Sequence, residues 1–288
     1  MAKVELDIVW EGKRLKTDEK PVYLGITLDR TLSFREHVTK LRKKLSSRNS
    51  LLGCLASSSW GAEPKTLRST ALALVYSTAE YCSPVWSRSC HASGVDVELN
   101  RACRTVTGNL KCTPLTSLYR IAGIAPPPVR RETQAKTERD KQLNDSRYPL
   151  YGHQEVHRRL RSRNSFSTVT GLGNDRPSAY KLRRWREMER ENNKQSLPPP
   201  AEQIPAGSDL NRKLWVTLNR ARAKVGKTAD NLHRWGHAAS SACPCGEAVQ
   251  TIEHLLTTCP LGPTCSDGDL RDATDTARHW IRSWSDTL

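Results

Sequence analysis

Apolar and polar residues alternate near the start of the chain, and this period of two predicts β-strands with one apolar face. The pair Glu11-Gly12 predicts a hairpin turn, after which residues 13–16 return along the first strand. Gly25 interrupts a second alternating run and indicates a bulge or a close backbone approach. Residues 1–32 are therefore predicted to form a short β-hairpin or small sheet. The alternating apolar positions are Val4, Leu6, Ile8 and Trp10 in the first run and Val22, Leu24, Ile26 and Leu28 in the second.

From residue 33 the apolar positions recur at the spacing of an amphipathic helix, and residues 33–145 are predicted to form a small helical bundle. Gly61 and Gly108 are predicted to separate its helices. Three consecutive prolines at 126–128 predict a rigid break before a basic helix. The apolar stripe of the first helix consists of Val38, Leu41, Leu45, Leu52 and Leu55.

Residues 146–207 contain few apolar positions and many arginines, so this segment is predicted to be a basic, mostly disordered linker with one helix at about 180–191. Trp185 lies among the arginines, which favours stacking on the bases of RNA or DNA. The alternative, which is left open, is that the charge run is only solvated. The linker arginines predicted to contact nucleic acid are Arg158, Arg159, Arg161, Arg163, Arg183, Arg184 and Arg186.

Helical spacing resumes after Asp209, which is predicted to be the N-cap of the next helix. Residues 270–284 predict an amphipathic tail helix on which Trp280 and Trp284 share one side as packing residues. Residues 208–288 are therefore predicted to form a small helical C-terminal region. The fold class predicted for the whole chain is mainly α, with a short β-hairpin or sheet at the N-terminus.

The charge of the chain predicts its partner. The 288 residues carry a formal net charge of +16 at pH 7, and a surplus of this size favours a polyanion, most simply RNA or DNA. Residues 130–190 hold 16 basic and 8 acidic residues and contribute half of that surplus. Residues 191–288 hold 11 of each, so the C-terminal region is not expected to be the main phosphate contact.

The sequence contains no apolar run of transmembrane length, lipidation pattern or signal peptide, which predicts an intracellular protein of the nucleus or cytoplasm without a membrane partner. The nine cysteines show no disulfide framework, as expected in a reducing compartment.

Gly226-Lys227-Thr228 resembles the end of a phosphate-binding loop, but the pattern requires a glycine where Ala221 stands. No aspartate pair suited to two-metal nucleotidyl transfer is present. No catalytic residue is predicted, and no small-molecule substrate is expected.

A compact group of cysteines and one histidine in the C-terminal region predicts a structural zinc knuckle. Zinc prefers four such ligands in a tetrahedron. Two cysteines in a tight turn can supply one edge, and a histidine and a cysteine across a short helix at 251–257 can supply the other. The single residue between the first two cysteines is a shorter spacing than usual, so other ligands stay open. The predicted ligands are Cys243, Cys245, His254 and Cys259, and the open alternatives are His233, His237 and Cys265.

Several blocks of the sequence occur in the order found in one protein family. Residues 23–29 read Tyr-Leu-Gly-Ile-Thr-Leu-Asp, residues 80–86 read Glu-Tyr-Cys-Ser-Pro-Val-Trp, and residues 99–108 read Leu-Asn-Arg-Ala-Cys-Arg-Thr-Val-Thr-Gly. Together with residues 218–223 and the cysteine–histidine segment at 232–260, they resemble the C-terminal part of reverse transcriptases of non-LTR (jockey-like) retrotransposons. The corresponding parts of that family are the post-palm hairpin, the helical thumb and a C-terminal Cys/His knuckle.

The resemblance implies a nucleic-acid-binding fragment of an RNA-directed DNA polymerase, which grips a template–primer duplex and lacks the catalytic palm. The Mg²⁺ of the family would belong to the complete polymerase only. Two alternatives remain open: a truncated gene model of a full active enzyme, and a non-functional retroelement relic. By similarity, the residues near the primer terminus would be Tyr23, Leu24 and Gly25, and those along the duplex backbone would be Arg42, Lys43 and Lys44.

Overall fold

Two tight hairpins precede the helices. Strands β1 (Val9–Trp10) and β2 (Lys13–Arg14) pair antiparallel across the predicted turn at Glu11-Gly12. Val4 and Leu6, which are predicted to begin the first strand, lie outside the described residues. The computed structural model describes residues 8–16, 18–57, 59–152, 169–189 and 195–288.

The alternating run at 22–28 forms a second hairpin, so Gly25 marks a turn and not a bulge within one strand. Strands β3 (Val22–Tyr23) and β4 (Ile26–Thr27) pair antiparallel on either side of Leu24-Gly25. The φ angles of Leu24 and Gly25 are 46° and 80°, and two successive positive values turn the chain within two residues. Gly25 adopts this conformation without a steric cost, which is why the run reverses there.

Helices α1 to α7 follow the hairpins, and their apolar faces enclose the largest hydrophobic core among the described residues. The predicted stripe of α1 is buried at Val38, Leu41, Leu45 and Leu52, whereas Leu55 is exposed because it lies beyond the end of the helix. A π-helical turn, Ala71–Tyr76, continues α2 into α3. The bounds are α1 (Arg35–Gly53), α2 (Pro64–Thr70), α3 (Ser77–Glu80), α4 (Ser83–Trp86), α5 (Ser93–Thr107), α6 (Leu115–Ala122) and α7 (Pro127–Asn144).

The three prolines at 126–128 begin α7 instead of separating a later helix from the bundle. Pro126 is the N-cap, and Pro127 and Pro128 occupy the first turn. A proline is favourable there because the first N–H groups of a helix have no intrahelical partner and the ring already fixes a helical φ. The basic helix therefore starts within the proline run, at Pro127, and not after it.

The prediction of a disordered linker at 146–207 is wrong for the described residues of its second half. The helix predicted at about 180–191 is present as α8 (Pro177–Met188), which packs against α7. The Trp185 side chain is fully buried in the core of the bundle. The indole N–H of Trp185 donates to Glu189 Oε1 at 3.0 Å, so this ring is not available for base stacking. Arg120 donates to the carbonyl oxygens of Leu197 and Pro198 at 3.0 and 2.6 Å, which fixes the following segment to α6.

Trp185→Ala is therefore expected to destabilise the bundle by about 3–5 kcal/mol, because it removes a fully buried indole. Thermal unfolding followed by circular dichroism measures the change. Trp60→Ala, at an exposed indole, serves as the control and is expected to change stability by no more than about 0.5 kcal/mol. Equal melting temperatures for the two variants would show that Trp185 is not part of the core.

A second core lies in the C-terminal region, where Trp280 and Trp284 pack with their ring centroids 6.4 Å apart, as predicted. The N-cap of its first helix is Asn211 and not Asp209, which instead forms an ion pair with Arg278. The predicted tail helix divides at Ala273, whose φ is 52°. The bounds are α9 (Arg212–Ala223), α10 (Ala229–Arg234), α11 (Ile252–Thr257), α12 (Asp267–Asp272) and α13 (Asp275–Ser283).

Helix α9 joins the two cores by satisfying the carbonyl groups at the end of α5. The Arg212 guanidinium donates to the carbonyl oxygens of Thr105 and Val106, each at 2.7 Å, and Asn219 donates to that of Thr107 at 2.9 Å. The last carbonyls of a helix have no intrahelical partner, so the side chains of α9 supply hydrogen bonds that α5 cannot form within itself. Gly108 allows the close approach, since a Cβ there would lie 2.1 Å from a methyl carbon of Val216.

Candidate metal centre and nucleic-acid interface

The four predicted metal ligands converge in the C-terminal region. The ligand atoms of Cys243, Cys245, His254 and Cys259 all lie within 4.8 Å of one another, and this cluster can hold a metal ion. The Sγ atoms of Cys243 and Cys259 are 3.8 Å apart. Cys245 Sγ lies 3.3 Å from His254 Nε2. The prediction that these four residues come together is therefore confirmed.

Local backbone structure positions each pair of ligands. In the Cys243-Pro-Cys-Gly turn, the N–H of Gly246 donates to the carbonyl of Cys243 at 3.0 Å. His254 lies in the first turn of α11, where the Thr251 side chain caps the helix by accepting the His254 N–H. The N–H of Cys259 donates to the carbonyl of His254 at 2.9 Å, just beyond the end of that helix. The short helix predicted between the second pair of ligands is thus present.

Neighbouring polar groups orient the ligands and set their charge. The Nδ1 atom of His254 lies 2.9 Å from Thr258 Oγ1, which leaves Nε2 directed at the cluster. Burial opposes ionisation of Cys243, but hydrogen bonds from Cys245, Gln250 and His254 lower its pKa to about 7. Burial and the adjacent Cys243 thiol raise the pKa of Cys259 to about 11. A cation between the two sulfur atoms would lower the pKa of Cys259 and favour the thiolate form of both cysteines.

The alternative ligands are not part of the cluster. Cys265 is buried in the C-terminal core, and its thiol contacts the carbonyl of Ser266 at 3.6 Å. Burial raises the pKa of Cys265 to about 12, as expected for a thiol that stays protonated. Neither His233 nor His237 joins the four clustered residues, although both lie in the described part of the chain. The tight Cys-x-Cys spacing is therefore compatible with a complete ligand set.

Helix α1 presents the basic residues predicted to follow a duplex backbone. Arg42, Lys43 and Lys44 are all exposed, on the side of the helix opposite its buried apolar stripe or flanking it. None of the three forms an ion pair with a carboxylate that the structure describes. Their charges therefore face solvent without a carboxylate partner among the described residues.

The turn of the β3–β4 hairpin is exposed as well. Tyr23 and Leu24 retain 68% and 70% of their accessible surface, and Gly25 completes the turn. The Tyr81 hydroxyl donates to the carbonyl of Leu24 at 3.0 Å, which ties the hairpin to the helical bundle. The hairpin thus lies on the same part of the molecule as α1, as the contacts between β4 and α1 indicate.

The linker arginines differ from the α1 cations because several have internal partners. Arg183 pairs with Asp175 at 2.6 Å and with Glu187 at 3.1 Å, and Arg184 pairs with Glu132 at 3.3 Å. Such pairs occupy donors that a phosphate would otherwise use. Arg186 is exposed on α8. The remaining predicted contacts, which lie outside the described residues, are Arg158, Arg159, Arg161 and Arg163.

One feature beside α1 is absent from the sequence-based predictions. A cavity of about 390 Å³ lies between the β3–β4 hairpin, α1 and α3, and both His37 and Lys40 line it. His37 occupies the buried face of α1, one turn before Leu41. The sequence signal for this cavity was a histidine at an apolar position of a helix. Whether such a histidine lines a cavity depends on the packing of the β3–β4 hairpin against α1.

No protein-family model, curated protein or solved structure matches this chain. None of the helices formed by the described residues is long and apolar enough to cross a membrane.

Proposed function

We propose that this chain binds RNA or DNA along the exposed basic side of α1, in the manner expected of the thumb of a retrotransposon reverse transcriptase. The supporting observation is the contrast between Arg42, Lys43 and Lys44, which have no carboxylate partner in the described structure, and the paired arginines of α8. Uncompensated cations in adjacent positions of one helix attract a phosphate backbone. The duplex of template and primer is the substrate class that the resemblance implies.

We also propose that the metal of the Cys/His cluster is zinc, in a structural role. A tetrahedral ion with metal–sulfur bonds of about 2.3 Å holds its sulfur atoms about 3.8 Å apart. Cys243 and Cys259 have this separation, at 3.8 Å. Three thiolates and one imidazole without an open position are typical of structural rather than catalytic zinc sites. The ion would fix α11 against the turn at 243–246.

The test of nucleic-acid binding is a salt titration on the full chain with a labelled RNA–DNA hybrid. The triple variant Arg42→Gln, Lys43→Gln, Lys44→Gln is expected to bind the hybrid roughly 30-fold more weakly at low salt. Its slope of log affinity against log salt is expected to fall by about 2 to 3, since each lost phosphate contact accounts for about 0.9.

The matched control removes the same charge from cations that have carboxylate partners. Lys213 pairs with Asp286, Arg234 with Asp230 and Arg271 with Asp272, all in the C-terminal region. The triple glutamine variant of these three cations is expected to keep the affinity of the wild-type chain to within about threefold. Equal losses in the two triple variants would mean that only net charge matters and would refute a binding surface on α1.

A further inference from the structure

The cavity beside α1 has the chemistry of an anion site. Its volume is about 390 Å³, and no carboxylate is among the residues that line it. Lys40 and Lys44 lie one helical turn apart and both border the cavity. Gly25 and Thr27 of the β3–β4 hairpin form the opposite wall. Two cations that share a wall without a counter-charge in the described structure repel each other, and an anion between them removes this cost.

His37 also lines the cavity and carries a hydrogen-bond donor. The backbone N–H of Thr27 points to His37 Nδ1 at 3.5 Å, which places the imidazole proton on Nε2. His37 Nε2 is buried and has no hydrogen-bond partner in the described structure. Burial and the charge of Lys40 lower the pKa of His37, so the ring is neutral at pH 7 and still donates from Nε2. A buried donor without a partner is unfavourable unless a ligand or water meets it.

The other polar groups of the cavity are already engaged as donors. Thr78 Oγ1 donates to the carbonyl of Leu74 at 3.0 Å, and the Tyr81 hydroxyl donates to that of Leu24 at 3.0 Å. Lys40 Nζ lies 3.3 Å from Thr27 Oγ1 and retains further N–H groups. Lys44 has no partner in the part of the chain that the structure describes. Among the described side chains of the cavity, the donors that remain are further N–H groups of Lys40, the Lys44 ammonium group and the Nε2–H of His37.

We infer that this cavity binds a single phosphate group between Lys40, Lys44 and the Nε2–H of His37. A phosphate offers tetrahedrally arranged acceptor oxygens and a negative charge, which suit a cavity lined by two ammonium groups and an imidazole N–H without a partner in the described structure. The volume also accepts the sugar attached to a phosphodiester. The phosphate comes either from a nucleic-acid backbone that lies along α1, in which case the inference rests on the proposed function, or from free inorganic phosphate.

The test is a titration of the full chain with inorganic phosphate at constant ionic strength, followed by the NMR signals of the His37 imidazole. The wild-type chain is expected to show a saturable shift of the Nε2–H resonance. The double variant Lys40→Gln, Lys44→Gln is expected to bind phosphate at least tenfold more weakly. The control is Arg42→Gln, Lys43→Gln, which removes the same charge from the same helix outside the cavity and is expected to keep the wild-type phosphate affinity.

Addition of an RNA–DNA hybrid then distinguishes the two sources. Displacement of phosphate by the hybrid supports a backbone phosphodiester as the occupant. Phosphate binding that the hybrid does not displace supports free phosphate as the occupant. Phosphate binding by a chain that does not bind the hybrid at all supports the phosphate site at Lys40, Lys44 and His37 and refutes the proposed function. An absent or non-saturable His37 shift, or equal losses in the two double variants, overturns the inference even where the hybrid binds.

Discussion

Replacing Cys259 with serine is expected to prevent binding of the proposed zinc ion and to destabilise the C-terminal core beside it. Cys259 Sγ lies 3.8 Å from Cys243 Sγ in a buried setting, so a neutral hydroxyl in its place leaves the ion with an incomplete ligand set. Structural zinc sites contribute about 10 kcal/mol or more to folding in isolated zinc fingers. Here α9 and α13 supply part of the core independently, so we expect a loss of at least about 3 kcal/mol. That loss corresponds to a melting temperature lower by roughly 6–12 °C.

Metal content and thermal unfolding, measured on the same sample, test this prediction. The wild-type chain is expected to carry about one zinc ion, and a strong chelator is expected to reproduce the effect of Cys259→Ser. Cys112→Ser, at an exposed cysteine outside the cluster, is the control and should keep the metal. Cys265→Ser tests the alternative ligand and should keep it too. A full complement of zinc in Cys259→Ser would contradict the proposed ligand set.

Replacing Arg222 with methionine is expected to destabilise the C-terminal core by about 3–5 kcal/mol. The Arg222 guanidinium is fully buried and donates to the carbonyls of Leu270, Ala206 and Arg271 at 2.7, 2.9 and 2.9 Å. Burial lowers the pKa of Arg222 to about 9 against the opposing charge of Asp272, so the side chain stays charged at neutral pH. Methionine has a similar volume and no donors, so it leaves the three carbonyls without partners.

Chemical denaturation monitored by tryptophan fluorescence measures this loss. Arg234→Met is the matched control, since Arg234 is an exposed arginine whose pair with Asp230 lies at the surface. We expect it to change the free energy of unfolding by less than about 1 kcal/mol. A denaturation midpoint for Arg222→Met that equals that of the control would show that the three carbonyls do not depend on Arg222.

Helices whose signals are local could be predicted from the sequence. The apolar stripe of α1 and the glycine that ends α5 depend on residues within a few turns of the same helix. The Cys/His cluster could be predicted for the same reason, because its ligands lie in one short segment. The rejection of Cys265 required the structure, since burial of its side chain depends on the packing of the whole C-terminal core.

Buried polar and aromatic residues in basic segments could not be predicted in this way. Arginine is most often a solvated residue, and the carbonyls that bind Arg212 lie more than a hundred positions earlier, at Thr105 and Val106. Trp185 is surrounded by arginines in the sequence, but its helical face meets the core only after α7 and α8 pack together. The composition of this basic segment therefore predicts disorder, whereas contacts with residues distant in the sequence order the part that contains α8.

Photochemical cross-linking of the wild-type chain to an RNA–DNA hybrid tests nucleic-acid binding by α1 most directly. A hybrid with photoreactive bases in both strands, irradiated at low salt, would be followed by mass spectrometry of the linked peptides. We expect the adducts to concentrate in α1 (Arg35–Gly53) and in the β3–β4 hairpin, and we expect added salt to remove them. Adducts confined to α9–α13, or none above those of a protein of equal charge, would contradict it.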